Sequence, residues 1–282
     1  MFRVALLLLL AALVLLSSLH SVHASVVNCP TWDYTNTTTW GFLCPQYELC
    51  RLGTRQSTIA LTSSGSSSVA TSISLSTPGY TTARTFLNDG HTVEVNFNTG
   101  PASTFTFPNV DAPSYLRQFH FHKPAEHTVD GIQAELEVHF VTSNDNGDLA
   151  VFAVMFNGTS TTESPFLTAL TPLLPSIQSK GNTANVNLPA LTNLFGSALS
   201  TGKVFIYDGG LTVPPCGEDV VFHVLAQVQP ATAAQISAFS VISNSNRPVQ
   251  PLNSRTVVFN SNGVAATATS ASSASAIASF LF

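Results

Sequence analysis

The stretch Gln118–Val141, QFHFHKPAEHTVDGIQAELEVHFV, limits what the 282-residue chain can fold into more than any other segment. Read with the two-residue period of a β-strand, Gln118, His120 and His122 point to one face while Phe119 and Phe121 point to the other, into a core. Glu137, His139 and Val141 repeat the alternation, with Leu136, Val138 and Phe140 on the opposite side. If the two segments are antiparallel neighbours, three imidazoles converge. Three neutral nitrogen ligands with a fourth position left open form a catalytic rather than a structural zinc site, so the implied cofactor is Zn2+. A ligating imidazole also needs an acceptor on its other ring nitrogen. Gln118 and Glu137 each stand two residues before a histidine, on the same strand face, where they can supply it.

The rest of the chain suits a β-rich domain. Only 9% of residues are charged, against a usual share of about 25%. The helix-like patches Ser164–Ile177 and Leu188–Leu199 are short and interrupted by proline. Met1–Ala24 carries Arg3, an apolar run from Val4 to Leu16 and a small-residue exit, which is the pattern of a secretory signal peptide. That run is shorter than the roughly 20 residues of a membrane span. Residues 25–260 are expected to be one catalytic domain, and residues 261–282 a Ser/Ala-rich tail, disordered or a weak GPI-type signal. The product would be secreted, or held at the cell surface through that tail. A net charge of -5 leaves no footprint for nucleic acid or anionic membrane.

Export permits disulfides. Cys29, Cys44, Cys50 and Cys216 allow three pairings, and the absence of any C-x-x-C pair argues against a zinc-cysteine site. Asn36 and Asn157 begin N-glycosylation sequons. A cupin-type oxygenase would share the His120, His122 and Glu126 spacing, but its flanking glycines would fall at Ser114 and Gln133.

The motifs QFHFH, AEHTVDG and EVHFV resemble the signature of the α-class carbonic anhydrases. QST at Gln56–Thr58, NDGHTVEVNF at Asn88–Phe97, GLTVPPC at Gly210–Cys216 and NRPVQPLNSR at Asn246–Arg255 follow in that family's order. The resemblance runs from about Trp32 to Phe259. It implies a mainly β fold, with a central, twisted, mostly antiparallel sheet of about ten strands and short peripheral helices. The implied activity is reversible hydration of carbon dioxide to bicarbonate and a proton by attack of zinc-bound hydroxide.

The same resemblance assigns roles. His120, His122 and His139 would hold zinc, His91 would shuttle protons, and Glu126 with Thr212 would orient the hydroxide. Gln118, Glu137, His127, Tyr207 and Ser57 would support them, with Thr128 buried in the same network. Val141, Val151, Leu211, Val213, Val220 and Phe222 would line the carbon dioxide pocket, and Trp32, Tyr34 and Trp40 would pack beside the mouth. Cys50 would pair with Cys216, leaving Cys29 with Cys44. Three positions depart from the family's usual residues: Glu94 for a neutral amide, Val213 for a second threonine and Phe222 for tryptophan. The substrates would be carbon dioxide and bicarbonate; oligomeric state is not legible. The rival from another class is a carbonic-anhydrase-like binding or cell-surface protein with weak catalysis.

Overall fold

The computed structural model describes residues 28–64, 66–69, 73–78, 83–97, 103–188, 190–191, 203–260 and 264–269. The chain divides into residues 1–30 and 31–282. Of the first unit only residues 28–30 are described, and they have no regular secondary structure. The expected signal peptide lies outside the described residues. The second unit is described below.

Alternating apolar side chains build one large sheet. Its main path runs Thr183–Val186, Arg84–Asn88, Val93–Asn96, Ser114–His122, Leu136–Ser143, Leu149–Asn157, Glu218–Leu225, Val204–Gly210, Val258–Asn260 and Ser67–Val69. Two neighbour pairs on that path are parallel, Leu149–Asn157 with Glu218–Leu225 and Val258–Asn260 with Ser67–Val69; the others are antiparallel. Four further strands join off the path, making fourteen in the sheet, more than the ten or so expected. One of them corrects the reading of the tail: Val264–Thr269 is a strand, paired in parallel with Ile73–Pro78. Its run of β-branched and small residues gives the backbone a ladder to complete. The rest of the tail lies outside the described residues.

The Phe face of the ligand-bearing strands enters the larger core. Phe119, Phe121 and Phe140 are fully buried, and all three meet Phe166 of the Pro165–Thr168 helix at ring separations of 5.4 to 6.1 Å. Each such burial contributes roughly 1.5–3 kcal/mol. Phe121 also packs on Phe239 at 4.6 Å, just past the Ala233–Ala238 helix, whose start is fixed by reciprocal bonds between Thr232 and Gln235. The patch Ser164–Ile177 becomes that Pro165–Thr168 turn and a 3-10 segment, Thr171–Ser176, because Pro172 and Pro175 deny the backbone donors a longer helix requires. Most of Leu188–Leu199 lies outside the described residues.

A second, three-stranded sheet folds the segment between the ligand strands back beneath them. Ala60–Leu61 pairs in parallel with Thr128–Val129, which turns through Asp130-Gly131, both at positive φ, into Ile132–Gln133. Asp-Gly is the pair that a two-residue hairpin of this hand favours. Thr128 is therefore half-buried in a ladder rather than part of the buried network expected of it. The hairpin holds Glu126 and His127, both buried, against the histidine face.

Candidate active site

The register places His139 directly opposite His120 and Glu137 opposite His122. Residues opposed in an antiparallel pair share a face, so the imidazoles meet on the side away from the phenylalanines. One nitrogen from each of His120, His122 and His139 lies within 4.8 Å of the others.

Hydrogen bonding determines which nitrogen is left. Gln118 Oε1 accepts from His120 Nδ1 at 2.8 Å, so His120 offers Nε2. Glu137 Oε1 accepts from His139 Nε2 at 2.7 Å, so His139 offers Nδ1. His122 Nδ1 donates to the Ser245 carbonyl at 2.7 Å, again leaving Nε2. That third acceptor escaped sequence reading, because a backbone carbonyl belongs to every residue. His122 Nε2 has no hydrogen-bond partner although buried. Burial lowers the His122 pKa to about 4 and holds His120, the most open of the three, well below the ordinary imidazole value; its histidine neighbours add to that effect. Both rings are thus neutral near pH 7.

Glu137 is gripped from four sides. Its Oε2 accepts the backbone N–H groups of Glu126 and His127 at 2.8 and 2.9 Å, and its Oε1 accepts from His127 Nδ1 at 2.6 Å as well as from His139. Burial alone would raise this carboxyl, but the two histidines hold it well below the usual range. Beyond it, His127 Nε2 meets the Tyr207 hydroxyl at 2.7 Å and Tyr207 bonds Ser57 at 3.1 Å. Of the expected supporting residues, Glu137, His127, Tyr207 and Ser57 form one continuous chain, while Gln118 stands apart on His120.

Glu126 is buried beside His122, with Oε2 3.4 Å from His122 Nε2. Its Oε1 accepts the Arg247 backbone N–H at 2.7 Å, a second contact that residue type could not announce. Burial pushes its pKa up to about 7, opposed by His139, the Arg247 N–H and the Thr212 hydroxyl. Thr212 thus lies close enough to influence the carboxyl, yet Oε2 reaches no donor in full hydrogen-bond geometry. The result is two buried acids among imidazoles of which at least two are neutral. Buried charge is ordinarily paired or metal-bound. Two neighbouring orphaned atoms, His122 Nε2 and Glu126 Oε2, and three imidazoles with their outer nitrogens already engaged fit a divalent zinc ion.

Val141 stands opposite Val151, and Val151 opposite Phe222, so these side chains continue the histidine face as an apolar wall. Val151, Val220 and Phe222 are buried in the smaller core, with Val141 and Leu211 packed at its edge. Phe222 stacks on Tyr207 at 5.2 Å. Val213 is half-buried one residue beyond Thr212. The loop carrying both ends at Cys216, which is bonded to Cys50. Cys29 and Cys44 are also disulfide-bonded, and no described cysteine is free.

His91 follows a turn in which Asp89 Oδ1 accepts the N–H groups of His91 and Thr92, each at 2.7 Å. Its ring stacks on Trp32 at 3.9 Å, and Trp32 packs edge-on against Tyr34 and Trp40. Burial, then the charges of Glu126 and Asp89, raises the pKa of the Tyr34 hydroxyl. Asn36 is exposed, whereas Asn157 is half-buried and accepts the Glu135 N–H at 2.9 Å. No helix among the described residues is long and apolar enough to cross a membrane.

Comparison with known proteins gives the same direction. The eukaryotic-type carbonic anhydrase family matches residues 35–261. A carbonic anhydrase of Nostoc sp. is 34% identical over 267 residues, covering 92% of this chain and 97% of its own. The α-carbonic anhydrase of Photobacterium profundum superposes with a TM-score of 0.69 at 32% identity, over 81% of this chain and all of the other. That of Thermovibrio ammonificans, solved with the inhibitor sulfanilamide, gives 0.71 at 29% identity over 82% of this chain and all of the other. With the family matching residues 35–261 and a relative 34% identical over nearly the whole of both chains, this chain belongs to the α-carbonic anhydrase family.

Proposed function

We propose that this protein is an exported zinc enzyme interconverting carbon dioxide and bicarbonate. The observation that carries the reading is that all three imidazoles have one nitrogen held by the protein and the other facing a shared point. His120 Nε2, His122 Nε2 and His139 Nδ1 would hold the ion. Bound there, zinc would lower the pKa of a water far below its bulk value, to the value of about 7 known for carbonic anhydrases, and would so supply a nucleophile near neutrality.

The chain's own residues do the rest. Gln118, Glu137 and the Ser245 carbonyl lock the ring tautomers and orientations. A cation at the imidazoles would pull the Glu126 pKa down and keep it ionised, able to accept the Thr212 hydroxyl proton. The Thr212 oxygen could then only accept a hydrogen bond from the attacking group, which fixes its orientation toward the substrate. Val141, Val151, Leu211, Val220 and Phe222 give uncharged carbon dioxide a dry wall. His91, stacked on Trp32, would take the released proton outward. The disulfides are consistent with export. Sulfonamides such as sulfanilamide would bind at the same metal.

The test is zinc content by elemental analysis, after dialysis against a weak chelator, alongside stopped-flow carbon dioxide hydration. One zinc per chain is expected, and His120→Ala, His122→Ala and His139→Ala should each lose both zinc and activity. Full zinc occupancy in any of the three sinks the ligand assignment. Zinc without hydration in the unmodified protein would favour the binding-protein reading.

A further inference from the structure

Beside the site stands a charge that the proposed reaction does not use. Glu94 lies directly opposite His120 across the ladder, as His139 does on the other side. Opposed residues share a face with Cβ atoms about 4.5–5.5 Å apart, so the carboxylate projects from the same wall as the three imidazoles. Asn96 Nδ2 donates to its Oε1 at 2.8 Å. No described Lys, Arg or His forms an ion pair with it. Burial raises its pKa, Asn96 opposes the rise and Asp89 adds to it. The wall that bears the imidazoles therefore also carries an acidic side chain with no cationic partner among the described residues, within a side chain's length of the proposed metal.

We propose that Glu94 is a specificity-determining residue, making the cavity favour cationic ligands, amines above all, over anionic ones of the same shape. The inference rests on the three imidazoles holding zinc. The effect has to be sought in ligand affinity. The equilibrium between carbon dioxide and bicarbonate fixes the ratio of kcat/KM in the two directions, so no side chain can bias that ratio. A unit charge about 8 Å from the carboxylate, in a partly solvated cavity, changes affinity roughly 3- to 10-fold, with opposite sign for the two charges.

The probes are three benzenesulfonamides alike except at the para position: aminomethyl, carboxamide and carboxylate. Their affinities for the zinc-loaded full chain and for Glu94→Gln are measured by calorimetry at pH 7.5 in low salt. The ammonium-to-carboxylate affinity ratio should fall about tenfold or more in Glu94→Gln, while the neutral probe changes less than about twofold. An unchanged ratio overturns the proposal. If no probe binds either zinc-loaded protein, the zinc reading fails and the proposal falls with it. Should Glu94→Gln not fold, the unmodified protein still decides. Its ratio must shrink as salt rises from 20 mM to 0.5 M, roughly the range over which the Debye length falls below side-chain dimensions, and a salt-independent ratio refutes it.

Discussion

His223 should make this protein lose stability in mild acid, and replacing it with leucine should remove that loss. The residue sits in the Glu218–Leu225 strand on the face away from the metal site, opposite Phe152 and Ile206. It is fully buried, and Phe107 stacks on it at 3.9 Å. The Val151 and Val221 backbones are near enough to favour the charged ring, but neither nitrogen makes a full hydrogen bond. Burial dominates and lowers the pKa from 6.5 to about 3, with no charged side chain contributing.

Because the folded pKa is depressed, the unfolded chain takes up the proton first. The stability that depends on a neutral His223 is complete above pH 6.5 and drains away as pH falls toward about 3. Each unit in that window is worth 1.36 kcal/mol, so the cost at pH 4.5 is about 3 kcal/mol. Urea unfolding of the disulfide-intact protein and of His223→Leu, both with chelator present, gives the difference in stability at each pH. The ligand histidines titrate in both proteins and cancel. From pH 7.5 to 4.5 the difference should shift by about 3 kcal/mol in favour of leucine. A shift under about 1 kcal/mol would show that the ring is protonated or solvated in the folded state, and the burial argument would be wrong.

Glu137→Gln should keep the fold but raise the zinc dissociation rate about 10- to 100-fold, measured by transfer to a chromophoric chelator; an unchanged rate would remove Glu137 from its supporting role. His91→Ala should lower maximal turnover in weak buffer while leaving the second-order rate for carbon dioxide nearly intact, and added imidazole should restore turnover. Turnover unaffected in weak buffer would leave His91 as a turn residue. Cys216→Ser should cost on the order of 5 kcal/mol in the chain-entropy account, since the Cys50–Cys216 bond spans 166 residues. Denaturant midpoints within error of the unmodified protein would contradict that.

Much of the site was legible because its information lies in side-chain types on a two-residue period. His120, His122, His139, Gln118 and Glu137 announce themselves by spacing alone, and once the strands are antiparallel their convergence follows. The contacts that were not legible are backbone ones. The Ser245 carbonyl and the Arg247 N–H could come from any residue, and only the folded chain brings them more than 120 positions back to His122 and Glu126. The Arg247 guanidinium fixes that return by donating to Gln56 Oε1, the Ser57 carbonyl and the Cys50 carbonyl. His223 was illegible for another reason. Its strand is buried on both faces, so EDVVFHVL shows no alternation to mark a polar ring inside the core.

The Glu126 carboxyl, with one oxygen unpartnered, bears on the choice between an enzyme and a silent binding domain. Glu126 and Glu137 are both fully buried, and removing a carboxylate from water costs several kcal/mol even after relaxation. Glu137 recovers that cost through four donors, and so needs no metal to explain it. Glu126 does not. One oxygen takes a single N–H, while the other faces His122 Nε2 with neither atom bonded. A domain that only bound other molecules through its surface would be more stable with Glu126 replaced by a neutral side chain of the same shape. In an enzyme that must present an acceptor to Thr212, the same carboxylate becomes intelligible, because the cation that compensates it is the one that activates water. Glu126→Gln discriminates the two. It should stabilise the zinc-free protein by a measurable increment in urea while abolishing most carbon dioxide hydration in the zinc-loaded one, whereas a silent domain would show the first effect with no activity to lose.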